Sequence, residues 1–203
     1  MPAVDLRPHR VWGALTPTDA VALLSEFRAR WWIAGGWALD LFLGKVTRAH
    51  NDLDVGIFRK DAQSQLAALR DWDVFEAKNG VLSPLAAGDA PGADVNSLWC
   101  KRTGAPHWEL ELMLDNSKGE EWVFRRDARI TRPISSAIRR NPEGIGYLAP
   151  EIQLLYKARA TRAQDQADFN HVVPHLNRDE LTWLQDALMR TDPEHAWIAV
   201  LQD

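Results

Sequence analysis

The stretch that decides the fold is residues 31–58, WWIAGGWALDLFLGKVTRAHNDLDVGIF. Its first four residues are apolar and lead into a Gly-Gly pair, which predicts a buried strand over residues 31–34 followed by a tight turn. A short helix is expected over residues 37–43, where Gly44 ends it. Apolar and polar residues then alternate over residues 52–58, and this period of two predicts a second strand.

Two carboxylates at the start of that second strand, Asp52 and Asp54, are two residues apart and therefore share a face, with Cα atoms about 6.6 Å apart. Like charges this close repel each other. A divalent cation would neutralise them, because Mg²⁺ prefers one or two carboxylates together with phosphate oxygens. A solvated pair at a strand edge is the alternative, and an Asp-x-Asp pattern alone does not decide between the two.

Gly35 and Gly36 lie between the predicted strand and the predicted helix. Glycines there let the backbone approach a ligand closely, and the helix N-terminus presents free N–H groups to an anion. An ordinary tight turn would use the same residues. However, the order of strand, glycine pair, short helix, basic loop and acidic strand is much rarer than any one of its parts. It predicts a phosphate-binding turn beside a metal site.

The segments WIAGGWALD at residues 32–40 and GKVTRAHNDLDV at residues 44–55 resemble the signature of the minimal nucleotidyltransferases. Within that superfamily they are similar to the branch of aminoglycoside 2″-adenylyltransferases and lincosamide nucleotidyltransferases. The resemblance is dense over residues 31–58 and thin elsewhere. It implies a mixed α+β fold, in which a small mixed sheet is flanked by helices and followed by a helical C-terminal part.

The resemblance also implies roles for individual residues. The turn at Gly35 and Gly36 would hold a nucleoside triphosphate, and Asp52 and Asp54 would bind Mg²⁺. A third carboxylate on a later strand would be either a metal ligand or the base that takes the proton of the acceptor hydroxyl.

The strand expected over residues 108–114 offers two candidates for this third carboxylate, Glu109 and Glu111, which share one face. Glu111 lies deeper in the apolar run, so we prefer it as a metal ligand and catalytic residue. The alternative is that both glutamates simply form the wet face of an amphipathic strand.

Four further residues are candidates for nucleotide binding: Trp37, Arg48, His50 and Lys157. Arg48 precedes the aspartates and is suited to forked contact with phosphate oxygens, whereas His50 could equally satisfy a local turn. Related enzymes often supply a lysine from a C-terminal helix, and Lys157 resembles it; a solvated lysine off the buried stripe is the alternative. Most of the ten tryptophans are expected in the core, and Trp37 is the exception to watch.

Other clusters are not expected to be functional. The arginines of residues 125–132 form a basic group that is more typical of a solvated face than of a binding groove. The histidines outside residues 31–58 show no ligand spacing, so a zinc site is not expected.

The chain of 203 residues suits one core with a small appendage. We expect a nucleotidyltransferase core over residues 1–140 and a helical C-terminal subdomain over residues 141–203, divided at a glycine-rich stretch. The single cysteine, Cys100, cannot form an internal disulfide, which favours a reducing, cytoplasmic setting. No apolar run approaches the roughly 18 residues of a membrane-spanning helix, and the net charge of −4 disfavours a nucleic-acid partner.

Together these features predict a Mg²⁺-dependent nucleotidyltransferase with one or two metal ions. It would transfer a nucleoside monophosphate, expected to be AMP from ATP or another nucleoside triphosphate, to a hydroxyl of a small molecule. An aminoglycoside- or lincosamide-like compound is the expected kind of acceptor, bound by the loops near residues 80–92 and by the C-terminal helices. Two alternatives stay open: a protein or RNA acceptor, as in antitoxin members of the superfamily, or a non-catalytic nucleotide-binding module.

Overall fold

The structure is a computed structural model that describes residues 4–5, 11–13 and 15–202. Its strands are β1 (Val4–Asp5), β2 (Trp31–Ile33), β3 (Asp54–Phe58), β4 (Trp72–Lys78), β5 (Val81–Pro84), β6 (Ser97–Arg102), β7 (Leu110–Lys118), β8 (Glu121–Val123), β9 (Thr131–Pro133), β10 (Ile138–Arg140) and β11 (Gly146–Leu148). Its helices are α1 (Pro17–Leu23), α2 (Gly35–Leu43), α3 (Ala62–Leu66), α4 (Ile134–Ala137), α5 (Pro150–Ala158), α6 (Ala163–Val172), α7 (Arg178–Thr191) and α8 (Trp197–Leu201). Of these described helices, none has the length and apolar content needed to cross a membrane.

The strands form a mixed sheet in the order β1-β5-β4-β6-β7-β3-β2-β11-β10, with β8 and β9 continuing from β7. β3 pairs antiparallel with β2 and parallel with β7. The register sets Ile33 opposite Val55 and Asp54 opposite Glu111. As a result, the end of β2 and the starts of β3 and β7 lie at the same end of the sheet. This mixed α+β architecture agrees with the fold class expected from the sequence.

The first helix after the glycine pair begins earlier than predicted. α2 starts at Gly35 instead of residue 37, because Gly35 itself forms the first turn with a φ of +64°. Gly44 ends α2 in the left-handed conformation, and its N–H donates to the carbonyl of Asp40. The predicted end of the helix is therefore confirmed, and the glycine pair is part of a helix N-terminus.

The acidic strand is shorter than predicted, since β3 begins at Asp54 and Asp52 precedes it. The chain still runs beside β7 at this point, because the Glu111 N–H donates to the Leu53 carbonyl at 3.0 Å. Leu53 is fully buried, so it fixes the segment before the strand. Asp52 is thus held next to the sheet without belonging to it.

The sheet extends farther along the chain than expected. β10 and β11 form an antiparallel hairpin, and β11 pairs parallel with β2. The glycine-rich stretch of residues 142–147 is therefore part of this hairpin and its turn, and the helical part starts at Pro150. The division into residues 1–140 and 141–203 stays a prediction, and the hairpin crosses it.

A buried ion pair joins the helical part to the sheet. The side chain of Glu151 on α5 is fully buried, and it lies 2.8 Å from Arg132 Nε and 3.4 Å from Arg139 Nη2. Arg139 also contacts Glu180 on α7 at 2.6 Å. Burial raises the pKa of the Glu151 carboxyl, and the positive charges of the two arginines counteract this. One carboxylate thus connects β9, β10 and α5.

Replacement of Glu151 by alanine should destabilise the protein by about 3 kcal/mol, because two half-buried guanidinium groups would lose their shared partner. Urea unfolding monitored by tryptophan fluorescence measures the change. Asp127→Ala is the control, because Asp127 pairs with Arg129 at the surface and its loss should change the unfolding free energy little. Equal stability of Glu151→Ala and the control would contradict this account of the ion pair.

Candidate functional site

Three carboxylates converge where β3 and β7 begin. Asp52, Asp54 and Glu111, called the acidic cluster below, each offer an oxygen, and these oxygens lie within 4.8 Å of one another. The sheet explains the convergence. Asp54 and Glu111 are directly opposite residues of a parallel pair, so their side chains leave the sheet on the same face, and Asp52 reaches them from the segment before β3.

The other candidate, Glu109, directly precedes β7 and lies apart from this cluster. The carboxylate of Glu109 lies 3.7 Å from Arg102 Nε and 3.9 Å from His107 Nε2. Glu111 instead accepts a hydrogen bond from the Ser97 hydroxyl. Of the two glutamates considered from the sequence, it is Glu111 that lies beside the aspartates.

The electrostatics of the acidic cluster favour a bound cation. Burial raises the pKa of Asp54 well above its usual range, and the negative charges of Glu111 and Asp52 raise it further. Burial also raises the pKa of Glu111. Three oxygens of this kind are the donor set that a hard divalent cation prefers, and such an ion would remove the repulsion. The residues present therefore fit a magnesium ion.

The glycine pair lies directly against this cluster. A Cβ atom on Gly35 would lie 2.0 Å from Asp54 Oδ2, and one on Gly36 would lie 2.3 Å from Arg48 Nη2. The N–H of Gly35 donates to Gln153 Oε1 at 2.8 Å. The N–H groups of Gly36 and Trp37 lie in the first turn of α2, where no carbonyl of the helix can reach them. The turn can therefore present backbone donors to an anion beside the carboxylates.

Arg48 makes a forked contact with a carboxylate of α6. Arg48 Nε and Nη2 donate to the two carboxylate oxygens of Asp168 at 3.0 and 3.1 Å. His50 lies between Arg48 Nη1, at 3.1 Å from its Nδ1, and Asp40 Oδ2, at 2.6 Å from its Nε2. His50 thereby ties the basic loop to α2, which is the local structural role that the sequence left open.

Trp37 supports this loop from the side. Its ring packs against the His50 ring with centroids 4.3 Å apart. Arg48 and His50 line the cleft described below, whereas Trp37 is not among the residues found to line it in the described part of the chain. A direct contact of Trp37 with a nucleotide stays a prediction.

Lys157 is buried, so the alternative of a solvated lysine is wrong. Only 8% of its side chain is exposed, and its Nζ lies 2.8 Å from Asp165 Oδ1 and 2.9 Å from Asp168 Oδ2. The sequence places Lys157 off the buried stripe of α5, but α6 packs against α5 and covers that side. Asp165 also binds Arg162 at 2.7 Å. Two aspartates of α6 thus hold three cations in place: Lys157, Arg48 and Arg162.

These residues surround one cleft of about 560 Å³, a size typical of small-molecule sites. Asp52 and Asp54 line it, and Glu111 adjoins them. Within the described residues, the lining comes from the segments around α2, β3, β7, β8, β11, α5 and α6. The loops near residues 80–92 do not line this cleft, whereas the C-terminal helices do. That these loops help to form the acceptor site stays a prediction.

Four arginines of the cleft were not recognised from the sequence. Arg125 and Arg126 line it, contrary to the expectation of a solvated face, and Arg159 and Arg162 join them. The arginines of residues 125–132 do not all lie in the cleft, since Arg129 is a surface residue paired with Asp127. The sequence shows only that Arg125 and Arg126 are adjacent. It does not show that they enter the cleft, because their position depends on the contact with Tyr156 of α5.

The family model of the aminoglycoside-2″-adenylyltransferases matches residues 18–137. The 2″-aminoglycoside nucleotidyltransferases of Escherichia coli and Klebsiella pneumoniae are 47% identical to the chain over 38 residues, which are 19% of this chain and 21% of theirs. The chain therefore spans about a fifth of the length of the curated relatives it matches.

Two solved structures have a similar fold at 16% sequence identity. The solution structure of the antibiotic-resistance factor ANT(2″)-Ia gives a TM-score of 0.55 and covers 84% of this chain and 88% of that one. The crystal structure of the lincomycin-bound lincosamide antibiotic adenylyltransferase LnuA gives a TM-score of 0.51 and covers 75% of this chain and 91% of that one. These likenesses confirm the fold expected from residues 31–58.

Alanine at Gly35 should displace Asp54 and weaken the binding of a divalent ion, because its Cβ would overlap the carboxylate. Gly44→Ala is the matched control, since Gly44 has a φ of +66° and an added Cβ would meet no described atom within 4 Å. Both variants should lose about 1 kcal/mol from the left-handed conformation, but only Gly35→Ala should bind Mn²⁺ more weakly. Titration calorimetry with Mn²⁺ measures this, and equal Mn²⁺ affinity of the two variants would refute the close approach.

Proposed function

Because the chain belongs to the aminoglycoside-2″-adenylyltransferase family, we propose that it is a Mg²⁺-dependent nucleotidyltransferase. It transfers a nucleoside monophosphate, AMP from ATP, to a hydroxyl of a small molecule and releases pyrophosphate. The observation that carries the proposal is the acidic cluster, with oxygens within 4.8 Å of one another, directly beside the glycine turn of α2. Relatives are named for aminoglycosides and lincosamides, so both classes belong in the panel of acceptors, beside neutral and anionic hydroxyl compounds.

Asp52, Asp54 and Glu111 would hold one or two Mg²⁺ ions. The metal, when bound, neutralises the triphosphate and the charge that develops on the α-phosphorus. The carboxylates supply oxygen ligands, and their repulsion in the free protein favours the ion. This supports a metal-dependent reaction, and the chain's own part is to fix the ligand positions.

The triphosphate would lie on the N-terminus of α2. Gly36 and Trp37 offer backbone N–H groups there, and Arg48 and Lys157 offer positive charge from two sides of the same cleft. Since the aspartates of α6 already hold both cations, the side chains lose little conformational freedom when they meet phosphate oxygens. Such preorganisation is how positioning lowers a reaction barrier.

The transfer itself is an in-line displacement. The acceptor oxygen forms a bond to the α-phosphorus while the bond to the bridging oxygen of pyrophosphate breaks. Glu111 either completes the metal site or accepts the proton of the acceptor hydroxyl. Its pKa is raised by burial, which makes its carboxylate a stronger base than an ordinary surface glutamate.

Glu111→Gln should lower the rate of transfer by at least about 100-fold, because the amide can neither take the proton nor balance the metal charge. Glu109→Gln is the matched control on the same strand face, and it should keep the wild-type rate. Pyrophosphate release is measured with ATP, Mg²⁺ and a panel of neutral, anionic and cationic hydroxyl compounds. Asp52→Asn should abolish release while its circular dichroism spectrum stays that of the wild type.

Equal rates for Glu111→Gln and Glu109→Gln would remove Glu111 from the proposed mechanism. Full activity of the Asp52→Asn variant would refute the assignment as a whole.

A further inference from the structure

A group of positive charges lies in the cleft apart from the cations already described. Arg125, Arg126 and Arg159, called the arginine cluster below, all line the cleft. The guanidinium carbon of Arg125 lies 4.6 Å from the centre of the Tyr156 ring, and that of Arg126 lies 5.5 Å from it. Arg126 also donates to the Tyr156 carbonyl at 3.3 Å. Tyr156 is therefore the flat surface on which two guanidinium groups are held.

The arginine cluster lacks anionic partners. The ion pairs formed by the other cleft cations use Asp165 and Asp168, and no described carboxylate forms a salt bridge with any member of the cluster. Nη1 of Arg125 is buried and has no hydrogen-bond partner among the described residues. A buried charged donor without a partner is costly, so this group points to a ligand.

Asp115, which contacts Tyr156, and Asp127, which follows Arg126 in the chain, both have other partners. Asp115 accepts hydrogen bonds from the Tyr156 hydroxyl at 2.7 Å and from Trp122 Nε1 at 3.0 Å. Burial raises its pKa, which favours the uncharged form. Asp127 is bound by Arg129 at 2.7 Å. The charge of Arg125 lowers the pKa of Asp115, but neither Asp115 nor Asp127 forms an ion pair with a member of the cluster.

The pKa of Arg126 reflects the excess of positive charge in the arginine cluster. Partial burial, together with the positive charges of Arg125 and Arg159, lowers the pKa of its guanidinium group to about 10. An anion between the three arginines would offset their mutual repulsion.

Tyr156, which holds Arg125 and Arg126, is anchored away from the glycine turn, although Arg125 is close enough to Glu111 to lower the pKa of that carboxyl. Asp115, which anchors Tyr156, lies opposite Phe58 on β3, four residues beyond Glu111. Four residues of a strand span about 13 Å. The triphosphate turn lies at the other end of β3 and has its own cations, Arg48 and Lys157. The triphosphate therefore has cationic partners without the arginine cluster, which leaves the cluster for a second anion.

We propose, on the basis of the function proposed above, that the arginine cluster binds an anionic group of the acceptor. The acceptor is then a hydroxyl compound that carries a carboxylate, phosphate or sulfate at some distance from its reacting oxygen. Forked contacts from guanidinium groups suit such oxyanions. The same charges disfavour a compound rich in amines, because like charges placed face to face cost binding energy.

Calorimetry with hydroxyl compounds in matched charge states tests this proposal. One set is cellobiose, its uronic acid and its diamino form, and a second is glucose, glucose 6-phosphate and glucosamine. Each compound is titrated into the full chain with Mg²⁺, both with and without α,β-methylene-ATP. The anionic member of a set should bind at least about tenfold more tightly than the neutral one, and the amino form should bind least.

Arg125→Gln should remove this preference while the affinity for α,β-methylene-ATP stays within about twofold of the wild type. Arg129→Gln is the matched control at the surface, and it should change neither quantity. An equal loss of nucleotide affinity in Arg125→Gln would show that the cluster serves the triphosphate, and would overturn the proposal.

Preference for the neutral or amino members, or binding of no compound, would overturn it as well. The function proposed above fails by a different result, since the wild type would then show no Mg²⁺-dependent binding of α,β-methylene-ATP. The titrations of the hydroxyl compounds without nucleotide therefore distinguish a failure of the arginine-cluster proposal from a failure of the proposed function.

Discussion

The parallel pairing of β3 with β7 is the constraint on which the site depends. It sets Asp54 directly opposite Glu111 and brings both within reach of Asp52, where burial and mutual repulsion raise the pKa values of Asp54 and Glu111. The sheet therefore maintains an arrangement that is unfavourable without a cation. The buried core of aliphatic and aromatic side chains stabilises the fold and thereby offsets this local cost.

The cleft contains two kinds of cations, which differ in whether carboxylates hold them. Arg48, Lys157 and Arg162 are held by aspartates of α6, which fixes their positions beside the glycine turn. The arginine cluster instead rests on Tyr156 without carboxylate partners among the described residues. In our proposal the held cations bind the triphosphate and the unpaired arginines bind an anionic group of the acceptor.

The local features of the site followed from the sequence because they depend on neighbours in the chain. The glycine pair and the end of α2 at Gly44 needed only local pattern. The third carboxylate was implied by the family resemblance, and Glu111 was preferred to Glu109 because it lies deeper in the apolar run. The burial of Lys157 and the position of Arg125 and Arg126 did not follow, since both depend on how α5 packs against α6 and β8. The observed start of β3 also differs from the predicted one, because Asp52 follows the alternating pattern but does not pair with a neighbouring strand.

The most direct test of the central claim is a crystal structure with Mn²⁺ and α,β-methylene-ATP, in which anomalous scattering locates the metal. The account predicts a Mn²⁺ peak about 2.1–2.2 Å from oxygens of Asp52 and Asp54, next to Glu111, with the triphosphate on the N–H groups of Gly36 and Trp37. A metal located away from these carboxylates, or a triphosphate bound away from the glycine turn, would contradict it.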